Sequence, residues 1–119
     1  MPLKDGEVKA IELGEGDVVR TIKDYLEYGT NQGKWWAERL NSGEVIIVAG
    51  QTRRRVKLCR EGTADFEVIQ QGKVFFLEVK RPGKRLSDEQ EAFKRIVEAQ
   101  NALCFRVESL EEVQSILEG

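Results

Sequence analysis

The sequence predicts an α/β domain with a mixed sheet of four to five strands flanked by helices. Three observations carry this. Apolar residues recur at helical spacing in three stretches. Short β-branched or alternating runs lie between them. A hairpin turn signal joins two of those runs. The chain has 119 residues and reads as one domain, residues 1–119, because halving it would leave neither part a sufficient core.

The first helix is expected over residues 17–28. Val18, Ile22, Tyr25 and Leu26 form its stripe, Val19 widens it, and Gly29 with the polar Thr30 to Gly33 ends it. Trp35 and Trp36 follow in a segment of unassigned structure, suited to core or interface and alternatively to stacking on unpaired bases. A turn is expected at Asn41-Ser42-Gly43. Residues 45–49 form a continuous apolar run, read as a strand covered on both faces. Residues 54–59 alternate basic and apolar, a strand with one wet, positive face. Residues 66–69 and 74–79 are two further strands, joined at Gln71-Gly72.

Ser87 with Gln90 makes a capping box opening the second helix, whose buried stripe is Ala92, Phe93, Ile96 and Val97. A last strand covers residues 103–107. Ser109 then caps a final helix with Leu110, Val113, Ile116 and Leu117 inward.

The composition contains no histidine, which excludes His-based general bases, Ser-His-Asp and Cys-His nucleophiles and His-containing zinc sites. Hydrolysis would have to use carboxylates, lysine and a hard metal. Lys and Arg total 19 against 21 Asp and Glu, so net charge gives no support to polyanion binding. The distribution does. Arg53, Arg54, Arg55, Lys57 and Arg60 lie in a stretch without an acid, and Lys80, Arg81, Lys84 and Arg85 form a second block. The acids crowd the two ends, as in Glu108, Glu111, Glu112 and Glu118, and leave the middle basic. Cys59 and Cys104 lack CxxC spacing and read as two reduced core thiols. No apolar run approaches the ~20 residues of a membrane span, and the charged, glycine-containing start does not read as a secretory signal.

The hairpin gathers the chemistry. With the turn at Gln71-Gly72, Gln70 faces Lys73, Val68 faces Phe75 and Phe66 faces Leu77. Asp65 then falls opposite Glu78, where Cβ atoms lie ~5 Å apart and like charges repel. Lys80 sits two residues past Glu78 on the same face. Two carboxylates so placed need a cation or a shared proton, and Mg²⁺ or Mn²⁺ suits them. The bland alternative is a solvated strand end with paired charges.

The run Gly62-Thr63-Ala64-Asp65, thirteen residues before Glu78-Val79-Lys80, resembles the signature of the PD-(D/E)XK nuclease superfamily, with its restriction-endonuclease-like core. The tail from Lys80 through Arg81-Pro82-Gly83-Lys84-Arg85-Leu86-Ser87 to Gln90 resembles the virus-type replication-repair nuclease (VRR-NUC) family more narrowly. The first helix and the Asn41-Ser42-Gly43 turn are similar too. The resemblance spans residues 12–107. It departs at Ala64, where the family usually carries Pro, a change of loop stiffness rather than of a ligand.

The resemblance implies side-chain metal ligation by Asp65 and Glu78, and by Val79 through its carbonyl, with Lys80 as the catalytic lysine. Gln90 would lie near the scissile phosphate or the lysine. Glu15 would be a further acidic ligand. Spacing from Val18, Val19 and Ile22 puts it on the inward helix face, but Asp17 as cap would leave it in the preceding loop, with Glu12 as fallback. Arg53, Arg54, Arg55, Lys57, Arg81, Lys84 and Arg85 would grip backbone phosphates.

Together these features lead to the expectation of an Mg²⁺- or Mn²⁺-dependent, structure-specific endodeoxyribonuclease without an organic cofactor. Its resemblance to the stand-alone phage and bacterial members of that family implies action on branched or junction DNA as a homodimer, like a Holliday-junction resolvase, in the cytoplasm of a bacterium or phage-infected host. A nickase or restriction-type subunit of a larger complex, and a non-catalytic DNA-binding module on a nuclease fold, are the alternatives.

Overall fold

The computed structural model describes residues 15–40 and 44–119, and of Glu15 its backbone alone. The elements are α1 (Glu15–Asn31), β1 (Trp36–Arg39), β2 (Glu44–Ala49), β3 (Thr52–Lys57), β4 (Phe66–Gln70), β5 (Lys73–Val79), α2 (Asp88–Ala99), β6 (Leu103–Val107) and α3 (Leu110–Glu118). A four-stranded mixed sheet has the order β1-β4-β5-β6. β1, β4 and β5 pair antiparallel, while β5 and β6 run parallel through the α2 crossover.

The β4–β5 register is the expected one: Gln70 opposite Lys73, Val68 opposite Phe75, Phe66 opposite Leu77. Gln71 and Gly72 both have positive φ, 49° and 80°, as a tight two-residue turn between right-twisted strands requires. Alternation then sorts the sheet into two faces. Phe66, Val68, Phe75, Leu77, Val79 and Val107 point one way and are buried against Val19, Ile22 and Leu26 of α1 and Val113 and Leu117 of α3. Removing such side chains from water contributes about 1.5–3 kcal/mol each. Tyr25 Oη donates to Glu118 Oε2 at 2.6 Å, tying α1 to α3. On the opposite face α2 sets Phe93 edge-on against Phe76, with centroids 5.1 Å apart.

The structure corrects several expectations. The segment of Trp35 and Trp36 contains a strand, β1, which forms one edge of the sheet. Gly29 does not end α1: it lies inside the helix, and the Trp35 indole fills the space where a Cβ would sit, with Nε1 donating to the Leu26 carbonyl at 3.0 Å. Tertiary packing thus overrides the helix-breaking tendency of glycine.

The 45–49 run is not covered on both faces. It pairs with β3 alone in a separate two-stranded sheet, through a turn with Gly50 at φ 62°, and every residue of β2 is exposed. A continuous apolar run signals what a strand can bury, not what covers it. The positive character of β3 is likewise not confined to one face: Arg53, Arg55 and Lys57 share one side and Arg54 takes the other. The α2 stripe is not buried either. Ala92, Phe93 and Val97 are half-buried and Ile96 is 50% exposed. The Asn41-Ser42-Gly43 turn and Glu12 lie outside the described residues. No helix among the described residues is long and apolar enough to cross a membrane.

Candidate active site

The sheet ladder between β4 and β5 stops at Phe66 and Leu77, and Asp65 lies one residue before it. Asp65 is held from two sides. Its carbonyl accepts the Leu40 N–H at 2.8 Å, on the β1 side. Its carboxylate Oδ2 accepts the Val79 N–H at 2.8 Å, on the β5 side. The acid is therefore fixed against the strand that carries Glu78, in the neighbourhood that the hairpin register predicts.

The loop before Asp65 is pinned by Gly62, whose φ is 86° and whose Cα faces the Glu89 backbone in the first turn of α2. A Cβ there would overlap that backbone, so glycine lets the loop dock on the helix.

Glu78 and Lys80 are buried, 6% and 8% exposed, the two charged residues in the described core. The Lys80 N–H donates to the Val107 carbonyl at 2.9 Å, which continues the strand geometry past the end of β5 and keeps Lys80 in phase with Glu78. A buried carboxylate requires compensation. Gln90 gives some: its Nε2 donates to Glu78 Oε1 at 2.8 Å. The same side chain completes the capping box, accepting the Ser87 N–H at 2.8 Å while Ser87 Oγ accepts the Gln90 N–H at 3.2 Å. Gln90 thus both caps α2 and bonds the buried glutamate.

Alongside Asp65 opens a cleft of about 660 Å³. It is lined by Gly16, Arg20 and Lys23 of α1, Arg39 of β1 and Arg81. Asp17 lies within α1 (Glu15–Asn31), its carbonyl accepting the Thr21 hydroxyl at 2.9 Å, so it belongs to the helix and does not cap it. Glu15 is therefore helical and precedes the cleft residue Gly16.

Of the expected phosphate-binding residues, Arg81 lines the cleft. Lys84 and Arg85 are exposed in the loop between β5 and α2. Arg53, Arg54, Arg55 and Lys57 lie on the separate β2–β3 hairpin and do not line this cleft. Sequence reasoning missed Arg20, Lys23 and Arg39. It also missed Arg106, opposite Glu78 in the β5–β6 register, which donates to the carbonyls of Lys84 at 2.8 Å and Arg81 at 3.0 Å and to Glu108 Oε1 at 2.7 Å. Arg106 fastens the basic loop to the sheet. A charged residue in the otherwise apolar β6 was its signal.

Among the described residues no group of three or more His, Cys, Asp or Glu gathers as a metal cluster. The donors described are two carboxylates, Asp65 and Glu78, with adjacent backbone. That hard-oxygen set fits a cation of the Mg²⁺ kind, which binds through one or two carboxylates and retains water. No family model and no curated protein matches the chain.

Proposed function

We propose that the protein is a metal-dependent, structure-specific endodeoxyribonuclease of the VRR-NUC type, with a PD-(D/E)XK core, acting on branched duplex DNA as a homodimer in the manner of a Holliday-junction resolvase. The observation that carries the reading is the Asp65 carboxylate bonded to the Val79 N–H, beside a buried Glu78 and a buried Lys80.

Asp65, Glu78, the Val79 carbonyl and Glu15 would hold Mg²⁺ or Mn²⁺. When bound, the cation supplies Lewis-acid stabilisation for phosphodiester hydrolysis. Gln90 fixes the Glu78 carboxylate in one orientation. Lys80, just past the end of the central strand β5, orients the attacking water and offsets charge developing on the phosphate. Arg81 holds a phosphate in the cleft, and the cations of β3 and the 80–87 loop add sequence-independent affinity.

The dimer supplies two sites for two strands. Its support is the exposed apolar side chains of β2, Ile46 and Val48 on one side of the hairpin and Ile47 on the other, together with Trp36 and Ile69, an exposed opposed pair on the face of the sheet that carries Phe76.

Cleavage of four-way junction, flap, nicked and linear duplex DNA with Mg²⁺ or Mn²⁺ tests the reading. Paired cuts in the junction are expected. Cutting of one strand only, by a monomer in sedimentation, would replace the resolvase with a nickase. Binding without cleavage in either metal would leave a DNA-binding module.

A further inference from the structure

We propose that the cleft beside Asp65 is a phosphate track for one nucleic-acid strand, gripped by Arg20 and Lys23 of α1 and Arg39 of β1. This rests on the nuclease reading of Asp65, Glu78 and Lys80, and it adds the path by which a strand reaches them.

Three features carry it. The first is charge: among the described residues, the cleft lining holds four cations, Arg20, Lys23, Arg39 and Arg81, against one acid, Asp65. A concave surface of one dominant sign concentrates its counter-ion, here a polyanion.

The second is the absence of internal neutralisation. Asp24 stands four residues after Arg20 and Glu27 four after Lys23, positions at which a helix readily forms ion pairs. Yet among the described residues none of Arg20, Lys23 and Arg39 forms a side-chain ion pair. All three are exposed, so a phosphate reaches them without burying an unpaired charge.

The third is placement. Arg20 and Lys23 are neighbours on the helix surface, with Cβ atoms about 5–6 Å apart. Arg39 comes from the end of β1, opposite Phe66 and therefore one register position from Asp65. Two elements thus present cations to one space, next to the acid assigned to the metal. A guanidinium fork takes a phosphate through two parallel hydrogen bonds, so Arg20 and Arg39 orient the backbone as well as attract it. The basic block legible in the sequence, Arg53 to Lys57, is a separate surface on the β2–β3 hairpin.

The test compares wild type with the triple variant Arg20→Gln/Lys23→Gln/Arg39→Gln, and with Arg95→Gln on α2 as control. Binding of a fluorescein-labelled four-way DNA junction is followed by anisotropy in Ca²⁺ across a salt series, and cleavage is followed in Mg²⁺. Thermal melting establishes that the variants are folded.

Removing three phosphate contacts is expected to lower the slope of log affinity against log salt by about 2–3, and to weaken binding at least about tenfold at moderate salt. Cleavage at saturating DNA falls as well, because the strand is no longer held in register with the site. Arg95→Gln leaves all three readouts unchanged. A triple variant with the wild-type slope overturns the track, while cleavage by that variant leaves the nuclease reading in place. A reduced slope with no cleavage by wild type upholds the track and overturns the nuclease reading. A wild-type protein that does not bind the junction overturns both.

Discussion

The Gln90 side chain donates from Nε2 to Glu78 Oε1 at 2.8 Å and accepts from the Ser87 backbone N–H at 2.8 Å. One amide therefore joins the start of α2 to the buried acid on the central strand β5. Its two ends perform different tasks, so helix capping and the orientation of Glu78 are coupled.

Gln90→Ala is expected to destabilise the fold by about 1–3 kcal/mol, since it removes part of a capping box and a hydrogen bond to a buried carboxylate. Urea denaturation measures it. Gln90→Glu keeps the capping acceptor but sets a second carboxylate beside Glu78. Its loss of activity should therefore exceed what its stability loss accounts for. Near wild-type activity in Gln90→Glu, with the loss confined to Gln90→Ala, would mean that Gln90 is a cap alone.

Gly62→Ala should cost at least about 1–2 kcal/mol, because alanine is strained at a φ of 86° and its Cβ meets the Glu89 backbone. The loop carrying Asp65 must move away from α2 to relieve this. Activity should fall further than stability does. Wild-type stability and activity together would show that the loop has room the fold does not indicate.

Asp65→Asn and Glu78→Gln should each remove cleavage and weaken Mn²⁺ binding in calorimetric titration. Neither substitution changes side-chain size appreciably, so charge is the variable. Unchanged Mn²⁺ affinity in both would leave the two carboxylates with a purely structural role.

Burial pushes the Cys104 thiol up to about 11; Lys94 pulls against this, and Glu98, Glu78 and Glu91 add to it. Because the folded value lies above the ordinary 9.0, this contribution to stability is complete below pH 9.0 and is lost as pH rises towards about 11. The melting temperature should fall over that window, and Cys104→Val should flatten the fall. At neutral pH Cys104 should react more slowly with a thiol reagent than the half-exposed Cys59.

The hairpin was legible because its turn fixes the register: once Gln71-Gly72 is the turn, every pair back to Phe66 and Leu77 follows. The α2 start was legible because a capping box is local. β2 and β3 were legible as strands and not in their setting, since an apolar run does not reveal its neighbours. β1 was hidden by its length of four residues and by Trp35, which belongs to the core rather than to the strand. Hidden with it was Arg39. The sequence arrangement of cations pointed to Arg53–Arg55, whereas Arg20 and Lys23 join Arg39 only when α1 packs against the sheet. Asp65, Glu78 and Lys80 were legible as a group because strand alternation and the family resemblance pointed to the same three residues, and Gln90 because its capping box and the resemblance coincide.

Lys80→Ala tests the central claim most directly, with cleavage and binding of a labelled four-way junction measured on one preparation. Wild type should cut in Mg²⁺ and stop in EDTA. The variant should lose cleavage by at least about a hundredfold, the scale of one electrostatic stabiliser in a hydrolytic site. Its affinity should stay within a few-fold, because the cations of the cleft, the hairpin and the 81–87 loop remain. Cleavage by the Lys80→Ala protein at near the wild-type rate would contradict the assignment of Asp65, Glu78 and Lys80 as a nuclease site.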